Sequence, residues 1–183
     1  NKALASIDEK IPSVFQPEAT SCNNIGYVYL KNHQYKEAKK YFQKGLEQKN
    51  ISRDKPFVYA MLLDNLALSK LKLNEKEGLA SLFYKSLKIR DSLQLTTGII
   101  TSKLNLSEYF RFGNDTVKAS QNAKEALVLA RSSNAYRDVL ISLKQLSVME
   151  PENAAVYANE YFQVSEKLQK AERNIGNKFS RIE

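Results

Sequence analysis

One short pattern recurs four times along this chain of 183 residues: Asn24-Ile25-Gly26, Asn65-Leu66-Ala67, Asn105-Leu106-Ser107 and Gln145-Leu146-Ser147. Each copy joins an amide, a branched aliphatic and a small residue, and the copies stand 41, 40 and 40 residues apart. A fixed period of this size means a structural unit used repeatedly, each copy burying its apolar face on the next. A second column keeps nearly the same register. It runs Ala38, Leu79, Ala119 and Ala158, followed four residues later by Phe42, Phe83, Ala123 and Phe162, and by a small-residue column at Gly45, Ser86, Ala126 and Ser165. Apolar residues spaced by three and four, with only 6 Gly and 4 Pro in the chain, predict helices nearly throughout. Small residues beside large ones let two antiparallel helices approach closely, so each repeat is predicted to be a helix pair.

Turn and cap residues fall where the two helices of a pair must separate, at Lys31-Asn32-His33-Gln34, Asn74-Glu75, Gly113-Asn114-Asp115 and Glu150-Pro151. Pro17, Pro56 and Pro151 stand where helices begin. The expected layout is an all-α array with an N-terminal half-repeat or cap helix over residues 1–16, helix pairs over 17–50, 55–92, 94–133 and 135–172, and a tail over 173–183. Leu4, Ile7, Ile11 and the Val14-Phe15 pair fit either the second helix of a truncated repeat or a cap on the first pair.

Several chemistries are disfavoured by composition. His33 and Cys22 are the only members of their types, too few for a zinc or iron site built on His and Cys. The six glycines lie too far apart for a phosphate-cradling loop or a dinucleotide turn. No cofactor and no catalytic residue is expected. A single cysteine makes no internal disulfide and leaves the compartment open. The longest apolar run, Phe57 to Leu63, is about a third of the ~20 residues a spanning helix needs. The chain starts at Asn1 rather than Met and stops at Ser180-Arg181-Ile182-Glu183, which reads as an excised fragment.

The net charge of +8 raises nucleic acid as a partner, but the lysines are interleaved with Glu37, Glu47 and Glu125 as on a solvated helix face, and no nucleic-acid partner is expected. Tyr41-Phe42, Phe83-Tyr84 and Tyr161-Phe162 recur at one repeat position and are read as packing residues. The pairs Glu75/Glu77 and Glu150/Glu152 are assigned to helix starts, where the dipole favours negative charge. Cys22 is read as inert core.

The stretch from Asn24-Ile-Gly-Tyr-Val-Tyr-Leu through Tyr35-Lys-Glu-Ala-Lys-Lys-Tyr-Phe-Gln-Lys-Gly-Leu46 resembles a tetratricopeptide repeat. The other three pairs resemble an extended form of that repeat, and together the resemblance covers residues 17–172. It implies a right-handed superhelical solenoid of about four extended pairs of some 40 residues, with a concave face lined by the first helix of each pair. In that pattern the amide column faces the groove, where a side-chain amide can donate to and accept from a peptide backbone at once. The alternative, equally open at this point, is that the amides cross-link adjacent helices. The implied groove takes Asn23, Asn24 and Tyr27 from the first pair, and Met61, Asp64, Asn65 and Leu68 from the second. The third pair supplies Thr101, Leu104, Asn105, Glu108 and Arg111, and the fourth Ile141, Lys144 and Gln145. The Lys and Asn set with which chaperone-tail-binding members hold a terminal carboxylate is missing, since those places read Asn23, Tyr27 and Asn105.

A narrower resemblance lies at the end of the chain. The Asn177-Lys178-Phe179-Ser180-Arg181-Ile182 run, preceded by Glu172-Arg173, is similar to the close of the repeat region in Bacteroidetes-type sensor histidine kinases, ahead of a membrane-spanning helix. That resemblance implies a non-catalytic, extracytoplasmic sensory domain of a two-component system, partnered by a peptide, a protein or a second copy as a homodimer. It also implies membrane proximity through a C-terminal transmembrane helix absent from this chain. The alternative reading is a cytoplasmic scaffold or a peptide-responsive transcription-regulator domain.

Overall fold

A computed structural model describes residues 18–179, with side chains as far as Arg173. The expected cap over residues 1–16 and the end of the tail from Ser180 lie outside the described residues. All regular structure among the described residues is helical, in agreement with the all-α expectation. The helices are α1 Ala19–Lys31, α2 Tyr35–Leu46, the one-turn α3 Ile51–Asp54, α4 Pro56–Lys72, α5 Leu79–Ser92, α6 Thr96–Phe112, α7 Thr116–Ser132, α8 Tyr136–Met149 and α9 Ala154–Phe179. A 3-10 turn, Pro151–Asn153, separates α8 from α9.

The turns share one local solution. His33, Asn74, Gln94, Asn114 and Asn134 all adopt left-handed backbone, with φ between 54° and 61°. In each turn the amide following that residue donates to the carbonyl five residues back, as Gln34 does to Tyr29, Glu75 to Lys70, Leu95 to Arg90, Asp115 to Phe110 and Ala135 to Ala130. This Schellman closure satisfies carbonyls that the helix end leaves open. Asn tolerates left-handed backbone better than most side-chain-bearing residues, which is why Asn dominates here. Between α8 and α9 the chain instead turns through Glu150 and Pro151. That shorter link accounts for the second-helix columns of the fourth repeat falling one residue early.

The chain divides into two compact units, one ending at Leu82 and the other beginning at Phe83. In the first, α1 packs on α2, and α4 packs on both. Its core joins Ala19, Ala38, Phe42, Ile51, Leu62 and Leu66. Two glycines permit this closeness: a Cβ on Gly26 would sit 2.6 Å from the Phe42 ring, and one on Gly45 would sit 2.7 Å from a Leu62 methyl. In the second unit α7 lies against α6 and α8, and α9 packs along α8. Ile100, Leu104, Ala123, Ala126, Leu127, Ala130, Val139, Leu143 and Leu146 form its core, with Tyr157 and Val164 of α9 against it. Arg90 is buried within this unit, where its Nη1 donates to the Gly98 carbonyl and to Ser102 Oγ at 2.9 Å each.

Candidate functional site

The residues nominated for the groove divide by burial. On α1, Asn23 is buried while Asn24 and Tyr27 are exposed, the latter with the Lys31 ammonium 5.1 Å above its ring. On α4, Asp64 is buried and Met61, Asn65 and Leu68 are half-buried. The two helices meet through amides: Asn65 Nδ2 donates to Asn23 Oδ1 at 2.9 Å. In the second unit Leu104 is buried, Thr101, Asn105, Glu108 and Gln145 are half-buried, and Arg111, Ile141 and Lys144 are exposed. Gln145 Nε2 donates to the Leu104 carbonyl at 3.4 Å, and Thr101 Oγ1 donates within its own helix to Thr97 O. Two of the four ladder amides thus hold one first helix to another, each reaching the residue just before the amide of the preceding repeat. The exposed remainder on α1 comprises an amide and an aromatic ring, and on α6 and α8 two cations and an isoleucine. These are groups for peptide backbone, side-chain carboxylates and apolar side chains.

Glu150 and Glu152 stand at the start of the 3-10 turn, as assigned from the sequence, whereas Glu75 falls short of a helix start. Glu75 lies in the turn before α5 and receives Lys39 Nζ on both oxygens, at 2.7 and 2.6 Å. Glu150 occupies the C-terminal boundary of α8, and four donors converge on it. Ser120 and Lys124 reach it from α7, Asn153 from the 3-10 turn and Tyr157 Oη from α9 at 2.6 Å. Burial pushes this carboxyl upward, but the hydrogen bonds from Lys124, Ser120, Tyr157 and Asn153 outweigh it and hold the group down at about 2. Burial and the bond to Glu150 push the Tyr157 phenol up to about 12. The clamp was invisible in the linear pattern because its members lie on three separate elements; only the i, i+4 spacing of Ser120 and Lys124 hinted at a shared target. Beside it an open cleft of about 480 Å³ is lined by Thr116, Val117, Gln121 and Met149 together with clamp residues.

The aromatic pairs also separate. Phe42 and Phe83 are fully buried, and the Phe83 ring centroid lies 5.7 Å from that of Tyr109. Tyr84, Tyr161 and Phe162 are exposed, so the packing assignment fails for them. Cys22 is fully buried. Among the described residues no group of three or more His, Cys, Asp or Glu side chains could hold a metal ion, and no helix is long and apolar enough to cross a membrane.

No protein-family model matches the chain, and no curated protein matches it.

Proposed function

We propose that this chain is a non-catalytic interaction domain. In this reading four extended tetratricopeptide-like helix pairs form a right-handed solenoid whose first helices take a peptide or protein segment, and the domain is the extracytoplasmic sensory part of a membrane histidine kinase. The supporting observation is the split on the first helices, where a buried set fixes neighbouring helices and an exposed set, Asn24, Tyr27, Arg111, Ile141 and Lys144, stays available to a ligand. The kinase assignment rests on the Asn177–Ile182 run and on the basic cluster Lys167, Lys170, Arg173, Lys178 and Arg181, which suits a position close to lipid headgroups. Ligand binding would act by favouring one geometry of the array or of a dimer and passing that change through the last helix.

Two measurements test the proposal. The coding sequence beyond Glu183 should encode an apolar run of about 20 residues and then a kinase core; a DNA-binding domain without such a run would make the chain part of a cytosolic regulator. A peptide selected from a displayed random library should lose affinity for the Tyr27→Ala and Lys144→Glu variants while their melting temperatures stay put. Unchanged affinity in both would remove the groove.

A further inference from the structure

We propose that Glu150 is a latch: its one carboxylate couples α9 to α7, and freeing either end of it lets α9 leave its seat while α6, α7 and α8 keep theirs. The latch needs neither a ligand nor a kinase, so it goes beyond the proposed function and stands or falls without it. The junction it closes is built unlike the others. Each turn leading out of α1, α4, α5, α6 or α7 has a left-handed residue, and the amide after it bonds to the carbonyl five residues back, which together fix the exit of the next helix. Between α8 and α9 no residue is left-handed. Glu150 stands at φ −128° and ψ 73°, its amide donates to the Leu146 carbonyl at 2.8 Å, and its own carbonyl accepts from the Asn153 amide at 3.0 Å. What the backbone closure supplies elsewhere, the Glu150 side chain supplies here.

The two oxygens of that carboxylate serve different elements. Oε1 accepts from Ser120 and Lys124, both on α7, with the ammonium at 2.6 Å. Oε2 accepts from Asn153 of the 3-10 turn at 3.3 Å and from Tyr157, in the first turn of α9, at 2.6 Å. A carboxylate is a rigid planar group, so the α7 bonds and the α9 bonds act in series through it rather than side by side. The Glu150 side chain is only 12% exposed, which keeps water and salt from weakening bonds to an ionised acceptor. The further ion pairs of α9 are more open: Arg131, paired with Glu160, is 49% exposed, and Arg137, paired with Glu172, is 78% exposed. Pairs of that kind hold little. Behind the latch α7 is fixed by Ala119, Ala123, Ala126 and Ala130, all fully buried, whereas Tyr157 and Val164 of α9 meet the same core only partly buried. Release therefore stops at α9 and leaves α7 in place.

Hydrogen–deuterium exchange of the whole chain, read by mass spectrometry over peptides from α6 to α9, tests the latch. Ser120→Ala with Lys124→Met empties the α7 end, and Tyr157→Phe removes the phenol at the α9 end while keeping its ring. Either change should speed exchange in α9 by about tenfold or more, the loss expected for hydrogen bonds to a charged group, with α6, α7 and α8 unchanged. Because the two ends act in series, combining them should speed α9 by no more than the larger separate effect. Arg137→Gln, which removes an exposed pair, should change the α9 rate less than about twofold. Far-UV circular dichroism checks folding, and Lys124→Gln replaces Lys124→Met if that variant misfolds. Effects that multiply when the two ends are combined would make them independent contacts and overturn the latch. So would equal acceleration of α7 and α8, which would mean that the four helices open as one, or an α9 rate that neither end moves. Peptide capture by the Tyr27→Ala and Lys144→Glu variants judges the proposed function separately, since exchange is followed without any ligand.

Discussion

Helices α2 and α9 carry the same columns and meet different fates. In α2, Ala38, Phe42 and Gly45 are buried between α1 and α4; in α9, Ala158 and Phe162 face outward while Tyr157 and Val164 on another face meet the core. Among the described residues the same columns are buried where another helix packs on them and exposed where none does. What holds α9 is correspondingly mixed. Besides its apolar stripe it relies on polar ties, Tyr157 to Glu150, Arg131 to Glu160 at 2.9 and 2.5 Å and Arg137 to Glu172 at 2.8 Å. The first unit depends instead on close approach through Gly26 and Gly45.

The contrast is sharpest at the two phenylalanines. Phe42→Ala should cost about 3–5 kcal/mol, as emptying a fully packed ring site does, whereas Phe162→Ala should change stability by less than about 0.5 kcal/mol in the monomer. Urea unfolding of the two variants measures both, and equal costs would contradict the difference in packing. The amides give a smaller effect. Asn65→Ala leaves the buried Asn23 carbonyl oxygen without its donor and should cost about 1–3 kcal/mol. Gln145→Ala gives up a 3.4 Å bond to a backbone carbonyl and should cost about 0.5 kcal/mol.

Acid should loosen α9 selectively. The Glu150 carboxyl is lowered from 4.5 to about 2, so its contribution is fully present above pH 4.5 and fades as pH falls towards 2. Thermal melts between those limits should therefore show a slope that Glu150→Gln flattens. The Tyr157 phenol works in the opposite sense, its contribution being complete below pH 10 and lost as pH rises through about 12. The smallest effect concerns the turns, which both units share. Gln94→Gly should gain about 0.5–1 kcal/mol by relieving left-handed backbone, and Asn134→Gly should gain close to nothing because Asn tolerates that conformation.

The helical class was legible because apolar spacing and scarce Gly and Pro act locally. The left-handed turns were partly legible, with Asn74, Asn114 and Asn134 announcing them and His33 and Gln94 not. Side-chain fate was harder to read. Asn23 and Asn24 are adjacent amides, yet one is buried against α4 and the other exposed, because helical rotation points them to different neighbours. The Glu150 clamp needed residues from three elements brought together, and no spacing within one helix encodes that. Phe162 was misjudged as core since a recurring column records which face a helix offers and not whether another helix packs against it.

Cys22, the chain's only thiol, sits fully buried in α1 beside Gly45. A sulfur in that position is a built-in clock. An alkylating reagent can reach it only when α1 opens from α2 and α4, so the labelling rate counts openings of the first unit and is silent about Phe83 onward. Comparing that rate with the loss of Tyr157 order under the same denaturant would show whether the two units come apart in one event or in two, without adding a single foreign probe.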